Sequence, residues 1–83
     1  MRPLAFVDLE TTGLDPERHD IIELAIILVD GETLEEQATL SLKVKPERIE
    51  QADPEALALN GYRPEEWEDA LNLKAALERA APM

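Results

Sequence analysis

The sequence predicts an α/β (α+β) domain in which a three-stranded antiparallel meander is followed by short helices. Two observations predict the strands: an apolar run and then an Ile-rich one come before position 30, and apolar and polar residues alternate after it. One observation predicts the helices: beyond position 50, Asp, Asn and Pro recur at places typical of helix starts. The 83 residues are enough for a single small domain.

The first two strands are predicted at about residues 4–9 and 21–29. The first contains the short apolar run of residues 4–7, which ends at Asp8. A strand without polar positions is typical of the centre of a sheet, where both faces are buried. The second run is nine residues long and rich in Ile, which favours a strand over a helix.

The third strand, at about residues 37–45, has the clearest pattern, with one apolar and one polar face. Pro46 ends it, because proline cannot donate a hydrogen bond to the ladder. A meander in chain order leaves the first strand at the edge of the sheet, although its sequence is that of a central strand. An apolar edge invites pairing with another chain, so the sequence predicts more sheet than it contains.

Three helices are predicted at about residues 54–60, 64–69 and 73–80. Asp53 is a good N-cap for the first helix, with Pro54 at its first position, and Asn72 can cap the third. Trp67 is expected to anchor the second helix in the core. The third helix carries one apolar stripe, Leu73, Ala76, Leu77 and Ala80.

The composition excludes several classes of protein. The chain has 19 acidic and 8 basic residues, a net charge of −11, and no cysteine. A disulfide scaffold and a thiol nucleophile are therefore excluded, and no apolar run approaches the ~20 residues of a membrane span. The basic residues, Arg48 among them, are scattered and predict no groove for nucleic acid. We expect a cytoplasmic protein with no membrane partner.

Asp8 and Glu10 are the candidate chemical groups. They are two apart on a strand, so both point to one face with Cα atoms ~7 Å apart. Two neighbouring carboxylates repel each other, and a divalent cation such as Mg²⁺ removes that penalty. The turn Thr11-Thr12-Gly13 could bind a terminal nucleotide, because glycine permits close approach. The alternative is an acidic strand end whose carboxylates are solvated.

The string Asp8–Leu14, followed by Ile21–Ala25, closely resembles the first motif of the DEDD superfamily, which includes the DnaQ-like proofreading exonucleases and ribonuclease T. The likeness continues through residues 44–49 and 53–61, and this last segment is more similar to the proofreading branch than to oligoribonucleases. The resemblance implies a ribonuclease-H-like fold, represented here by its N-terminal half. It also implies metal-dependent, proofreading-like 3′-5′ hydrolysis of single-stranded nucleic acid.

The resemblance also implies roles for individual residues. Asp8 and Glu10 match catalytic metal ligands for Mg²⁺ or Mn²⁺, with two ions in the complete site. The positions that match substrate-binding residues are Thr11, Thr12, Leu14, Glu55 and Asn60. For Glu55, an exposed acid favoured by the helix dipole is an equal alternative. The implied substrate is the 3′ end of single-stranded DNA or RNA, a choice that the sequence leaves open.

The family's later motifs have no counterpart here, and they carry two further acidic ligands and the general base. His19 follows the first motif and is predicted as a surface loop residue, not as that base. We therefore expect poor metal affinity and little or no activity from these 83 residues alone. The alternative is a non-catalytic pseudoenzyme or interaction module that completes its sheet with a partner. A polymerase and a second chain are both open as that partner.

Overall fold

The computed structural model describes residues 2–82, which form three strands followed by short helices. The strands are β1 (Pro3–Thr11), β2 (Ile21–Asp30) and β3 (Glu36–Lys43). The helices are α1 (Pro54–Leu59), α2 (Pro64–Trp67) and α3 (Leu73–Ala80). The strands form one antiparallel sheet in the order β1-β2-β3, so the predicted meander is confirmed.

The observed elements differ from the predicted ones at several ends. β3 ends at Lys43, two residues before the predicted end, because Val44 leaves the ladder and forms a parallel bridge with Leu71. α2 ends at Trp67 rather than at about residue 69. A single 3₁₀ turn over Ile49–Gln51, which the sequence analysis does not predict, connects the sheet to α1.

The register places one member of the acidic pair of β1, Glu10, beside charged residues of the other strands. Asp8 lies opposite Ala25, and Glu10 lies opposite Glu23. Glu23 in turn lies opposite Lys43 of β3. Opposed residues share one face of a sheet, so Glu10, Glu23 and Lys43 form a row across it. A register shift after Glu10 separates this row from the turn that follows β1.

The main core lies between α3 and the sheet. Its buried members are Leu24 of β2, Val44, and Ala76 and Ala80 of α3. α3 begins where the Asn72 side chain accepts a hydrogen bond from the Ala75 N–H at 2.8 Å. In the predicted apolar stripe the two alanines are buried, whereas the two leucines are 39% and 52% exposed. The small residues of α3 thus allow its close approach to the sheet.

Trp67 is a second anchor, as predicted, and only 4% of its surface is exposed. Its indole Nε1–H donates to the Ile22 carbonyl oxygen at 2.7 Å. The Tyr62 ring packs at 4.8 Å between centroids, and the Lys43 ammonium lies 4.7 Å from the indole centroid. α2 is only four residues long, so this one side chain holds it to β2.

The prediction of a doubly buried β1 is wrong for the described chain. Leu4, Phe6, Val7 and Leu9 are 45–59% exposed. The reason is the order of the sheet: β1 is an edge strand, while the buried cluster forms over β2 and the end of β3. None of the helices described between residues 2 and 82 is long and apolar enough to cross a membrane.

Candidate functional site

The turn after β1, residues 11–14, is fixed by Thr12. This residue is fully buried, and its N–H donates to the Asp20 carbonyl oxygen at 2.9 Å. The Thr12 hydroxyl oxygen accepts a hydrogen bond from the Asp20 N–H at 2.9 Å, and its carbonyl accepts one from the Asp53 N–H at 2.7 Å. Thr12 therefore joins the two ends of the 12–20 loop and ties the turn to the start of α1. It lies in the interior, not at the surface where a ligand would bind.

A cleft of about 350 Å³, which we call the β1–α1 cleft, opens between the end of β1 and α1. It brings together several residues that the sequence predicts to hold metal or nucleotide: Glu10, Thr11, Leu14, Glu55 and Asn60. Asp8 is not part of its lining, but it is exposed on β1 and shares a face with Glu10. The chain thus gathers most of its candidate residues on one side of the end of β1.

Both ends of α1 are tied to the β1 turn, which places Glu55 at the cleft. At the N-terminus, the Asp53 carboxylate caps the helix by accepting a hydrogen bond from the Glu55 N–H at 3.0 Å. At the C-terminus, the Asn60 side-chain amide donates to the Thr11 carbonyl oxygen at 2.9 Å. Asn60 therefore positions α1 as well as lining the cleft.

Leu14 and Leu59 stand at the cleft with 99% and 87% of their surfaces exposed. Apolar side chains that are this exposed contribute almost no burial of apolar surface to the stability of the free chain. Ligand sites combine apolar walls with a few polar groups that fix orientation. The two leucines and the neighbouring carboxylates have that combination, and they suit a ligand with a flat apolar part and hydroxyl groups.

Asp8 and Glu10 fit a hard divalent cation as part of its ligand set. Carboxylate oxygens are the donors that Mg²⁺ prefers, and it commonly uses one or two of them with water and phosphate oxygens. Within residues 2–82, no group of three or more Asp, Glu, His or Cys side chains is placed to hold a metal ion. The described chain therefore offers two candidate carboxylate ligands and not a closed site.

The ion pair of Asp20 and Arg48 is a feature that the sequence analysis missed. The Arg48 guanidinium donates from Nε and Nη2 to one Asp20 oxygen at 3.0 and 2.8 Å. The other Asp20 oxygen accepts hydrogen bonds from the N–H groups of Arg48 and Glu47. The guanidinium also donates to the carbonyl oxygens of Glu17 and His19. Arg48 is thus no scattered surface charge, because it clamps the loop that follows the turn.

Two opposing effects act on the pKa of Asp20. Burial raises it, but the hydrogen bonds from the Arg48 backbone and side chain, the Arg48 charge and the Glu47 N–H lower it more. The net pKa of Asp20 lies below its ordinary value, so the carboxylate is ionised at neutral pH. No local sequence pattern predicts an ion pair between residues that are 28 positions apart. The only available signal was the family likeness that includes residues 44–49.

His19 is half-buried, contrary to the prediction of a plain surface residue. Its Nδ1 accepts a hydrogen bond from the Asp15 N–H at 2.9 Å. The imidazole packs so closely on Gly13 that a Cβ there would overlap the ring. His19 also lines a second cleft of about 380 Å³, the loop cleft, on the other side of the turn. Three residues line both clefts: Thr11, Gly13 and Leu14.

Residues 5–82 match the model of a protein family described as exonuclease, RNase T. Among curated proteins, an oligoribonuclease of Vibrio campbellii is 66% identical over 29 residues, which are 35% of this chain and 16% of that protein. The match is therefore strong but short.

Two solved 3′-exonuclease structures share the fold. A full-length 3′-exonuclease aligns with a TM-score of 0.79 and 27% identity, over 94% of this chain and 27% of that one. A second, solved for its 3′-end specific recognition of a histone mRNA stem-loop, aligns with a TM-score of 0.78 and 28% identity, over 94% of this chain and 36% of that one. These neighbours confirm the ribonuclease-H-like fold class. The chain spans 16% to 36% of the length of the three similar proteins.

Proposed function

We propose, because the chain belongs to the RNase T exonuclease family, that it provides the part of a 3′-5′ exonuclease that binds metal and the terminal nucleotide. The observation that carries this proposal is the β1–α1 cleft, which gathers Glu10 and four predicted substrate-binding positions beside the exposed Asp8. The implied reaction is hydrolysis of the last phosphodiester bond of a single strand, with release of a nucleoside monophosphate.

Asp8 and Glu10 would hold Mg²⁺ or Mn²⁺, with two ions in the complete site. Bound divalent ions in such sites supply an activated water and neutralise charge on the leaving oxygen. Cations held by these carboxylates would also explain how an acidic chain, with a net charge of −11, could bind a negatively charged phosphodiester. Residues 2–82 bring no third acidic ligand to this pair. We therefore propose that hydrolysis by the chain alone is weak or absent.

The cleft residues would position the 3′-terminal nucleotide. Leu14 and Leu59 offer apolar contact to a base or sugar, and the Glu55 carboxylate offers an acceptor to a sugar hydroxyl. Thr11 lies at the point where both clefts meet, and its hydroxyl donates to the Gly13 carbonyl oxygen at 2.8 Å. Thr12 acts from the interior by fixing the turn. Asn60 fixes α1 through the Thr11 carbonyl.

The names of the similar proteins favour RNA as the substrate. One is an oligoribonuclease, and another recognises the 3′ end of an mRNA stem-loop. We therefore propose an RNA 3′ end first, and a DNA 3′ end, which a proofreading-like role beside a polymerase would need, second. The cytoplasm is the compartment that we propose for this activity.

The test combines hydrolysis with metal binding. The chain, its Asp8→Asn variant and a matched Glu32→Gln variant, which loses one charge in the β2–β3 connection, are incubated with 3′-labelled RNA or DNA and Mg²⁺ or Mn²⁺. We expect little or no mononucleotide release from any of them. In nuclear magnetic resonance spectra, Mn²⁺ should broaden the amide signals around Asp8 and Glu10 in the parent and in Glu32→Gln, and much less in Asp8→Asn.

Each result has a definite meaning. Metal-dependent release that Asp8→Asn abolishes would contradict the expected inactivity and support the exonuclease assignment. Equal broadening in Asp8→Asn and the parent would contradict a metal site at Asp8. The weak affinity of two carboxylates requires millimolar oligonucleotide and a metal titration, so that the absence of an effect is meaningful.

A second candidate function is a non-catalytic module that completes its sheet with a partner, either a polymerase or a second chain. The observation that favours it is the edge strand β1, whose Phe6 and Val7 are 58% and 59% exposed. Sedimentation velocity distinguishes self-association from the proposal above. A mass that rises with concentration, and that Val7→Lys abolishes, would favour pairing of β1 with a second chain.

A further inference from the structure

We infer that His19 is a positioning residue that makes the shape of the Thr11–Leu14 turn depend on protonation of its imidazole. The inference deepens the proposed function and rests on it for the role of the turn in nucleotide binding. The structural part, that the turn follows the charge of His19, stands on the contacts of this side chain alone. The two parts are therefore tested by separate measurements.

Two contacts fix the imidazole against the turn. Its Nδ1 accepts a hydrogen bond from the Asp15 N–H at 2.9 Å, so this nitrogen carries a lone pair. Its ring atoms occupy the space where a side chain at Gly13 would lie. Because residue 13 is a glycine, the imidazole can pack directly against the backbone of the turn. The imidazole lies on the side of the turn that lines the loop cleft, and the other side of the turn lines the β1–α1 cleft.

Protonation removes one of these contacts. A charged imidazole carries hydrogen on both nitrogens and accepts no hydrogen bond. The Asp15 N–H would then point at another N–H, and the ring must rotate or withdraw from Gly13. Histidine is the side chain whose charge ordinarily changes between pH 5 and 8, so this is the range in which the change is tested.

The charged groups around His19 and the hydrogen bonds at the two ends of the loop limit how far the conformational change extends. Asp15, next to the ring, uses one carboxylate oxygen to accept a hydrogen bond from the Glu17 N–H. Asp20 is paired with Arg48, and the other charged groups of the loop cleft are Lys45 and Glu47. The Thr12–Asp20 hydrogen bonds and the Arg48 clamp hold both ends of the loop, whatever the charge of His19. Within the 12–20 loop the change therefore falls between these fixed ends, and Gly13 and Leu14 are the residues of the turn that it moves.

The turn transmits the change to the nucleotide side, because Thr11, Gly13 and Leu14 line both clefts. When the ring withdraws, Gly13 loses the contact with the imidazole, and the backbone that carries the exposed Leu14 can move with it. We expect the affinity for a nucleoside monophosphate to fall by about threefold to tenfold from pH 7.5 to pH 5.5, the range that corresponds to the loss of one hydrogen bond.

The first measurement follows amide signals of the 83-residue chain by nuclear magnetic resonance between pH 5 and 8. His19 is the only histidine in the sequence, so the titration has a clear assignment. The control is His19→Asn, whose Oδ1 can accept the Asp15 hydrogen bond but does not titrate. We expect the Gly13 and Asp15 signals to move with pH in the parent chain and to stay constant in His19→Asn.

The second measurement adds adenosine 5′-monophosphate with Mg²⁺ to both proteins at pH 7.5 and pH 5.5. The nucleotide's own phosphate titrates in this range, so only the difference between the two proteins reports on His19. We expect the affinity of His19→Asn to depend less on pH than that of the parent. Equal pH dependence in the two proteins would overturn the link to the cleft.

The outcomes distinguish failure of the role inferred for His19 from failure of the proposed function. Gly13 and Asp15 signals that do not move in the parent chain would overturn the role of His19. If those signals move but no residue of the β1–α1 cleft responds to the nucleotide at either pH, the proposed function fails. In that case the protonation-dependent turn stands, and its effect on nucleotide affinity is overturned.

Discussion

Replacement of Trp67 by alanine should lower the free energy of unfolding by about 3–5 kcal/mol, the range for a truncated core aromatic residue. The indole is almost completely buried and provides the main attachment of the four-residue helix α2. Its loss also removes the indole donor from the Ile22 carbonyl, near the start of β2, although this oxygen still accepts a hydrogen bond from the Val44 N–H. A chain of this length has only marginal stability, so Trp67→Ala should be largely unfolded at 25 °C.

Urea denaturation followed by far-ultraviolet circular dichroism measures this effect, because tryptophan fluorescence disappears with the residue. Trp67→Phe separates packing from hydrogen bonding, and we expect it to lose about 1–3 kcal/mol from the smaller ring and from the loss of one of two hydrogen bonds to the Ile22 carbonyl, which keeps the Val44 N–H as a donor. Leu59→Ala, on the exposed face of α1, should change stability by less than about 0.5 kcal/mol. A loss below about 1 kcal/mol in Trp67→Ala would show that α2 is held by other contacts.

The strands were predictable because their patterns are local. The alternation of β3 and the Ile-rich run of β2 each reflect burial on one or both faces, and both segments are strands in the structure. For β1 two indications conflict, because its composition is that of a central strand whereas the predicted meander leaves it at the edge of the sheet. Only the order of the sheet shows that its apolar side chains are exposed.

The location of the candidate residues could be predicted where they are close in sequence, as for Asp8, Glu10 and the turn that follows, and their roles stay predictions. It was not predictable where distant residues meet. Nothing local to Trp67 indicates the Ile22 carbonyl as its partner, and nothing local to Arg48 indicates Asp20. Thr12 shows the same limit, since its sequence context predicts a ligand contact but does not indicate that the residue is buried and hydrogen-bonded to Asp20.

Replacement of Arg48 by methionine should cost about 1–3 kcal/mol of stability. Methionine keeps the apolar stem but leaves the Asp20 carboxylate and two loop carbonyls without the guanidinium. Fully buried pairs lose about 3–5 kcal/mol when one partner is removed, and a lower value applies here because a third of the Arg48 side chain is exposed. Urea unfolding at pH 7 gives the value, with Arg79→Met on the exposed face of α3 as the matched control.

The same pair should make the stability of the domain depend on pH below about 4, the ordinary range of an aspartate. The pKa of Asp20 is lowered in the folded chain, so its carboxylate stabilises the fold above the unfolded-state pKa. That stabilisation is lost as pH falls through the lower, folded-state pKa. Asp20→Asn cannot titrate, and its unfolding free energy should vary less between pH 4 and pH 2 than that of the parent or of Asp69→Asn. Parallel pH profiles for the three proteins would contradict a lowered pKa at Asp20. They would also mean that the clamp on the 12–20 loop acts through neutral hydrogen bonds, whose strength does not follow the charge of the carboxylate.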